Sequence, residues 1–315
     1  MPSLPGYPER SASRPVCTNA ACRYATEGFE RAGDQLVLID FERSIFNRRS
    51  PGDATTSVLP RDDLRQSLRS RVMVVVHGSN PSSTINSRVM LRGMTALSAE
   101  PTLLIIGGGA LGAGVETFLQ DRSVQVISTD VYASPNTDLV TDAHHLPFAD
   151  AVFDGVWITA VLEHVLEPHV VVDEIWRVLK PAGMVYAETP FMQQVHERGY
   201  DFTRFTASGH RWLFRRFEQI DAGASAGFGA ASSLQWSLRY FVRAFVGNKL
   251  ATAVTIPFFW LRFLDRFARR RPSADGALEF FFLGRKSDRS LSPKDMVAYY
   301  DSQCYETCAQ IAKRI

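Results

Sequence analysis

The chain has 315 residues, 45% hydrophobic and 22% charged, which supports a packed core and excludes a disordered chain. A net charge of only +2 excludes a nucleic-acid-binding surface for the protein as a whole, and no nucleic-acid partner is expected. Residues 1–16 hold no apolar secretory stretch, no run reaches the roughly 18 apolar residues of a membrane span, and four cysteines are too few for a disulfide scaffold, so a reduced, cytoplasmic setting is expected.

Taken in order, residues 1–70 read as an N-terminal extension whose Pro-, Ser- and Arg-rich start, up to Pro15, reads as a tail. Cys17 and Cys22 precede a strand-like run, Gln35 to Phe41, and look like half of a degenerate zinc ribbon. Tetrahedral zinc needs four ligands, no second knuckle lies nearby, and Cys304 and Cys308 sit at the far end of the chain. The plain reading is two ordinary small residues, and no metal is expected. Residues 47–71 are polar, with a turn at Pro51-Gly52-Asp53 and a short helix over Asp62 to Arg71. Arg71 to His77 predicts a buried strand, and Ser82 to Leu97 predicts a helix.

The organising stretch is Thr102 to Pro190. Leu103 to Ile106 is a continuous apolar run, as expected of a central parallel strand. Gly107-Gly108-Gly109-Ala110-Leu111-Gly112 follows, and a helix is expected to start there and carry Glu116 to Leu119. Such a turn lets backbone approach a ligand, next to the N–H groups of a helix start. Val124 to Thr129 predicts a second strand ending at Asp130, whose spacing from Gly107 suits a carboxylate that accepts from both ribose hydroxyls. The alternative for Asp130 is a strand-end cap.

Next come Asp142-Ala143-His144-His145-Leu146-Pro147-Phe148, Phe153-Asp154-Gly155-Val156, Val161-Leu162-Glu163-His164-Val165 and Arg177-Val178-Leu179-Lys180-Pro181-Ala182-Gly183. This series resembles the class I S-adenosylmethionine-dependent methyltransferases of the type 11-like group, over roughly residues 102–220. The resemblance implies S-adenosyl-L-methionine as cofactor. Gly107 and Gly109 would face its methionine part, Asp130 its ribose and Asp142 its adenine amine. Ala143 would add a backbone contact, and Glu163 and His164 would border the methyl group. Asp154 would be structural, and Lys180 to Gly183 would turn into a fifth strand, Met184 to Thr189. The family usually has an acid where this chain has Ile105, and a third glycine where it has Leu111.

Beyond that strand, the Phe191-x4-His196 and Tyr200-Asp201-Phe202-Thr203-Arg204-Phe205-Thr206 pattern resembles a subgroup associated with glycan and glycolipid tailoring. Methyl transfer to a hydroxyl needs positioning and removal of a proton, and histidine suits the second task. His196 is the first candidate base, with Asp201 as its orienter and Arg204 as a substrate clamp. The alternative is a trio that pins the loop. His164 is the second candidate base, though a pocket wall is the preferred reading for it, and His144 and His145 read as loop surface.

Phe217 to Asp221 predicts a sixth strand and Leu278 to Lys286 the last one. Residues 204–271 carry eleven arginines and one lysine against one glutamate and two aspartates, so the positive charge is local. Residues 233–271 mix arginine with Trp236, Tyr240, Phe241, Phe245 and Trp260, a composition suited either to a bilayer interface at the inner membrane face or to a helical lid or dimer surface.

The expected fold is therefore α/β. A doubly wound, Rossmann-like, seven-stranded, mostly parallel sheet is built from residues 71–222 and 276–288. A helical insert, 223–275, precedes the last strand, and a tail occupies 289–315. The expected reaction is methyl transfer to a small-molecule, glycan or glycolipid hydroxyl. Two alternatives stand beside it: a nicotinamide-dependent oxidoreductase that uses Gly107 to Gly112 with Asp130, and a non-catalytic binding protein that lost its grip at Ile105 and Leu111. The sequence leaves the oligomeric state unspecified.

Overall fold

The computed structural model describes residues 15–20, 24–47, 81–225, 229–268 and 270–302. The expected short helix over 62–71, the strand over 71–77, and Cys22, Cys304 and Cys308 lie outside the described residues. Cys17 is a half-buried free thiol.

One sheet runs through the molecule. Its strands are β1 (Glu30–Ala32), β2 (Gln35–Val37), β3 (Thr102–Ile106), β4 (Gln125–Asp130), β5 (Leu139–Val140), β6 (Phe153–Thr159), β7 (Leu179–Pro190), β8 (Phe217–Ala224) and β9 (Glu279–Lys286). They lie in the order β1-β2-β5-β4-β3-β6-β7-β9-β8. From β2 across to β7 all neighbours are parallel, and β9 runs antiparallel between β7 and β8. The expected seven strands are corrected: the described residues form nine, in a mixed sheet. The hairpin β1–β2 joins the edge, with Leu36 opposite Leu139 and Val37 opposite Val140. The strand-like run from Gln35 supplies β2, whereas the three residues of β1 carry too little alternation to be read from sequence.

β3 is hydrogen-bonded on both sides and covered on both faces, which is why its residues run apolar without alternation. Helix α1 (Tyr24–Glu27) precedes the hairpin, and α2 (Pro81–Leu97) covers one face of the sheet. Pro81 starts α2, where a missing N–H costs nothing, and Ser83, Ser87, Met90 and Met94 form its buried stripe. Met90 and Met94 pack with Trp157, Met184 and Tyr186. A Cβ on Gly93 would stand 2.3 Å from the sulfur of Met184, so glycine here lets that side chain lie against the helix without shifting. The opposite face packs Val156, Ile158 and Val185 with Val171, Val172, Ile175 and Val178, all from α4 (Pro168–Val178).

Helix α3 (Val115–Gln120) starts later than expected. Gly114, at φ 88°, caps it, and the chain from Gly107 to Gly114 is turn. A Cβ on Gly114 would lie 2.6 Å from the Ser83 carbonyl oxygen, so α2 holds this turn closed. The Lys180-to-Gly183 turn is a bulge within β7, where the pairing jumps from Phe153–Leu179 to Gly155–Met184 and Ala182 takes φ 62°. Asp154 is structural, as expected: its Oδ2 accepts from the Thr102 N–H and from Lys180 Nζ, both at 2.8 Å.

After α5 (Ala207–Leu213) and β8, the insert comprises α6 (Ala230–Val246), α7 (Asn248–Thr255), a 3-10 stretch (Ile256–Arg266) and α8 (Arg270–Asp275). Asp265 reaches back to the start of α6, where it accepts from the N–H of Ala231 at 2.8 Å and the hydroxyl of Ser232 at 2.8 Å. A carboxylate there satisfies orphan donors and meets the positive helix end. Helix α9 (Pro293–Ser302) follows β9, with Ser292 and Asp295 bonded to each other at its start.

Candidate active site

Two cavities open beyond the carboxyl ends of β3, β4, β6 and β7, the edge where open α/β sheets place ligands. Thr159 and Ala160, at the end of β6, line both.

The first cavity encloses about 960 Å³, counted to its open mouth. Gly107, Asp130, Asp142, Ala143 and His164 are on its walls. Gly107 sits at φ 80°, and a Cβ there would lie 2.2 Å from a Val161 methyl, so the turn is closed tightly against the segment after β6. The Asp130 carboxylate is aimed by two backbone donors, the Gly109 N–H at 2.9 Å and the Tyr132 N–H at 3.0 Å. Gly109 thus ties the turn to Asp130, and the cavity wall there is made by Gly107 and Ala110.

Asp142 is on the wall but turned sideways. Its Oδ1 accepts from His144 Nδ1 at 2.7 Å and from the His144 N–H at 3.0 Å, and its Oδ2 accepts from the Ser44 hydroxyl at 2.5 Å. Burial alone would raise this carboxyl, but the bonds from His144 and Ser44 outweigh it and hold its pKa below the ordinary range. An adenine amine would have to share those oxygens with Ser44 and His144. The surface-loop reading of His144 is corrected: the residue is buried, and its Nε2 accepts from the Glu167 N–H at 3.2 Å, so Nδ1 carries the proton donated to Asp142.

The N-terminal extension roofs this cavity. Phe46 stacks on Tyr200 at 5.6 Å and meets Tyr132 edge-on at 6.5 Å. Neither Ser44 nor Phe46 carries a motif that would mark it from sequence.

The second cavity is acidic. Glu163, Glu188, Glu279, His196 and Ser83 line it. The antiparallel pairing of β7 with β9 sets Pro190 opposite Glu279, which brings Glu279 near Glu188. Glu188 accepts from Ser83 Oγ at 2.9 and 3.0 Å and from the Tyr186 hydroxyl at 2.5 Å. Burial, then repulsion from Glu188, pushes the Glu279 carboxyl well above the ordinary range. Burial likewise pushes Glu163 up to about 8. An acid at the start of a strand and one inside an apolar strand were the only sequence signals for Glu279 and Glu188.

His196, Asp201 and Arg204 come together as expected, but their partners differ. Asp201 Oδ2 accepts from the His196 N–H at 2.8 Å, and Arg204 Nη1 bonds Asp201 Oδ1. Arg204 also donates to the carbonyls of Gln193 at 2.9 Å, Gln194 at 3.1 Å and Thr203 at 2.9 Å. The guanidinium thus directs its donors to its own loop. Burial would raise Asp201, but Arg204 and the His196 N–H bring its pKa down to about 2. His164 Nδ1 donates to the Tyr200 carbonyl at 2.8 Å, and burial lowers its pKa.

Residues 112–187 match the family described as Methyltransferase domain. The chain is 38% identical over 78 residues to the demethylmenaquinone methyltransferase of Paenarthrobacter aurescens (strain TC1), covering 24% of this chain and 31% of that protein. It is 46% identical over 63 residues to the demethylmenaquinone methyltransferase of Clavibacter sepedonicus, covering 19% and 25%. The matched part thus spans about a third or less of these relatives. Among solved structures, the phosphoethanolamine N-methyltransferase 2 of Haemonchus contortus, in complex with S-adenosyl-L-methionine, overlaps with a TM-score of 0.43 at 15% identity, over 72% of this chain and 59% of that one.

S-adenosyl-L-methionine is the cofactor of the matched domain. The residues of the first cavity suit it. A positive-φ glycine turn, a carboxylate aimed by two backbone N–H groups, and an aromatic roof are the features a nucleoside with a short charged tail requires.

Proposed function

We propose that this chain, through its S-adenosyl-L-methionine-dependent methyltransferase domain, methylates a hydroxyl of a small-molecule acceptor. The acceptor class is a glycan or glycolipid, on the strength of the Phe191-to-Thr206 pattern. The observation that carries the reading is the pair of cavities that share the Thr159–Ala160 wall. One suits a nucleoside, and the other presents an imidazole to whatever lies across that wall. The family match and relatives named as methyltransferases of a small molecule support it. When bound, the cofactor supplies an electrophilic methyl group on a sulfonium.

In this reading Asp130 holds the ribose, and the Gly107 turn lets backbone approach the methionine part. Phe46, Tyr132 and Tyr200 cover the apolar side of the ligand. His196 takes the acceptor proton at Nε2, because Nδ1 faces the Gln194 carbonyl at 3.3 Å and Asp201 at 3.5 Å. Asp201 and Arg204 are positioning residues that set the His196 backbone. Calorimetry with S-adenosyl-L-methionine, its demethylated product and NAD separates the three readings of the sequence. Binding of NAD alone sinks this one, and binding of none supports a non-catalytic protein. His196→Ala is expected to keep cofactor affinity and to lower labelled-methyl incorporation into glycolipid extracts about 100-fold. Full incorporation by that variant removes His196 as the base.

The insert carries the second part of the proposal. Phe241, Phe245 and Phe267 are 65%, 74% and 82% exposed, and Trp260 and Phe263 are exposed as well. Arg239, Arg243, Arg262 and Arg266 lie among them in sequence. Exposed apolar rings interspersed with arginine along the chain suit an anionic lipid interface, while no helix among the described residues is long and apolar enough to cross a membrane. The protein is expected to co-sediment with phosphatidylserine-containing vesicles at low salt, and Phe241→Ser with Phe245→Ser is expected to lower the bound fraction severalfold. Absence of wild-type binding ends the membrane reading.

A further inference from the structure

We infer that Glu163, His164 and His196 form a binding site for a divalent transition-metal cation at the junction of the two cavities. Glu163 and His164 follow β6, and His196 lies in the loop after β7. One ligand atom from each falls within 4.8 Å of the other two. Glu163 Oε1 is 3.6 Å from His164 Nε2 and 3.9 Å from His196 Nε2.

Three observations point to an ion. Glu163 is 1% exposed, and neither of its carboxylate oxygens has a hydrogen-bond partner among the described residues. Buried carboxylates are ordinarily satisfied, and an unsatisfied one calls for an explanation. His164 Nε2 is unpartnered in the same way. Its Nδ1 donates to the Tyr200 carbonyl, so Nε2 carries a lone pair aimed toward the carboxylate. The gaps of 3.6 and 3.9 Å are too wide for a direct hydrogen bond. Two atoms that each sit roughly 2.1 Å from one metal are about 3 to 3.5 Å apart, so small side-chain rotations would close the set around a cation.

The outer partners fit as well. Metal-bound imidazoles usually donate their second nitrogen to a carbonyl or carboxylate, which fixes the ring. His164 does this through Tyr200, and His196 Nδ1 faces the Gln194 carbonyl and Asp201. The backbone is held in place too, since the Glu163 carbonyl accepts from the Phe202 N–H at 2.8 Å. Two imidazoles and one carboxylate select zinc, iron(II), cobalt(II) or nickel(II) over magnesium and calcium, which prefer all-oxygen sites. Three protein ligands leave positions open to the second cavity.

The inference does not need methyl transfer, but it bears on it. With a cation bound, His196 would be a ligand and its Nε2 could not take the acceptor proton; the metal would instead lower the pKa of an acceptor hydroxyl, whose proton would pass to solvent through the second cavity. The test uses untagged full-length protein stripped with a chelator and titrated with zinc by calorimetry and with cobalt(II) by visible absorption. One equivalent is expected to bind, with d–d bands that lack thiolate charge transfer. Glu163→Gln and His196→Ala are each expected to weaken binding at least 10-fold, and zinc is expected to raise the melting temperature of the wild type and not of Glu163→Gln. No binding, or affinity unchanged in both variants, overturns the site. Cobalt bands with thiolate character overturn it in favour of the cysteines. Cofactor calorimetry on the same samples reports separately on the donor site.

Discussion

Asp130→Ala is expected to weaken S-adenosyl-L-methionine binding at least ~100-fold, about 2.7 kcal/mol. Two losses combine. The ribose loses its charged acceptor, and hydrogen bonds to a charged group are the strong ones. The Gly109 and Tyr132 N–H groups lose the carboxylate that anchors both ends of the cavity wall. Asp130→Asn is expected to fall between, because one amide oxygen can replace only part of that set. Calorimetry measures the affinity, and a thermal melt confirms that the variant is folded. An unchanged affinity in a folded Asp130→Ala protein would remove this residue from the donor site and leave the first cavity without its polar anchor.

The second large effect concerns acid stability and arises far from the cavities. His210, in α5, is 2% exposed and packs edge-on to Phe214 at 5.3 Å. Its Nε2 has no hydrogen-bond partner among the described residues. Burial first, and then the charge of neighbouring Arg211, pushes its pKa down to about 3. The unfolded chain takes up a proton on this residue near pH 6.5, whereas the folded chain resists until about pH 3. Between those values the unfolded state binds more protons, so stability falls as the pH drops through that window, by up to about 4 kcal/mol from this residue alone. Urea unfolding of the wild type between pH 7 and pH 4 is expected to show that loss, and His210→Phe or His210→Leu is expected to flatten it. Parallel pH profiles for the wild type and both variants would refute the account.

The central strands, the glycine turn and Asp130 could be read in the sequence because each rests on local chemistry: a run of buried residues, a tight turn, an acid at a strand end. The segment after β6 was legible for the same reason, since Glu163 and His164 stand together in the chain. What no local pattern shows is what only pairing creates. Glu188 and Glu279 meet because β9 inserts antiparallel between β7 and β8. Ser44 and Phe46 reach the cavity because a hairpin of three-residue strands docks on β5. His144 reads as surface because a histidine in a loop gives no hint that an N–H at Glu167 and a carboxylate at Asp142 will enclose it. The first glycines suggest an earlier start for α3, but Gly114 closes the turn, and its reason, the Ser83 carbonyl, belongs to another helix.

The aromatic pair Phe46–Tyr200 joins two segments more than 150 residues apart, one that follows the edge hairpin and one from the loop that carries His196. In the proposed reaction a nucleoside beneath that pair would touch both segments at once, so its arrival and departure would be coupled to the loop that carries His196.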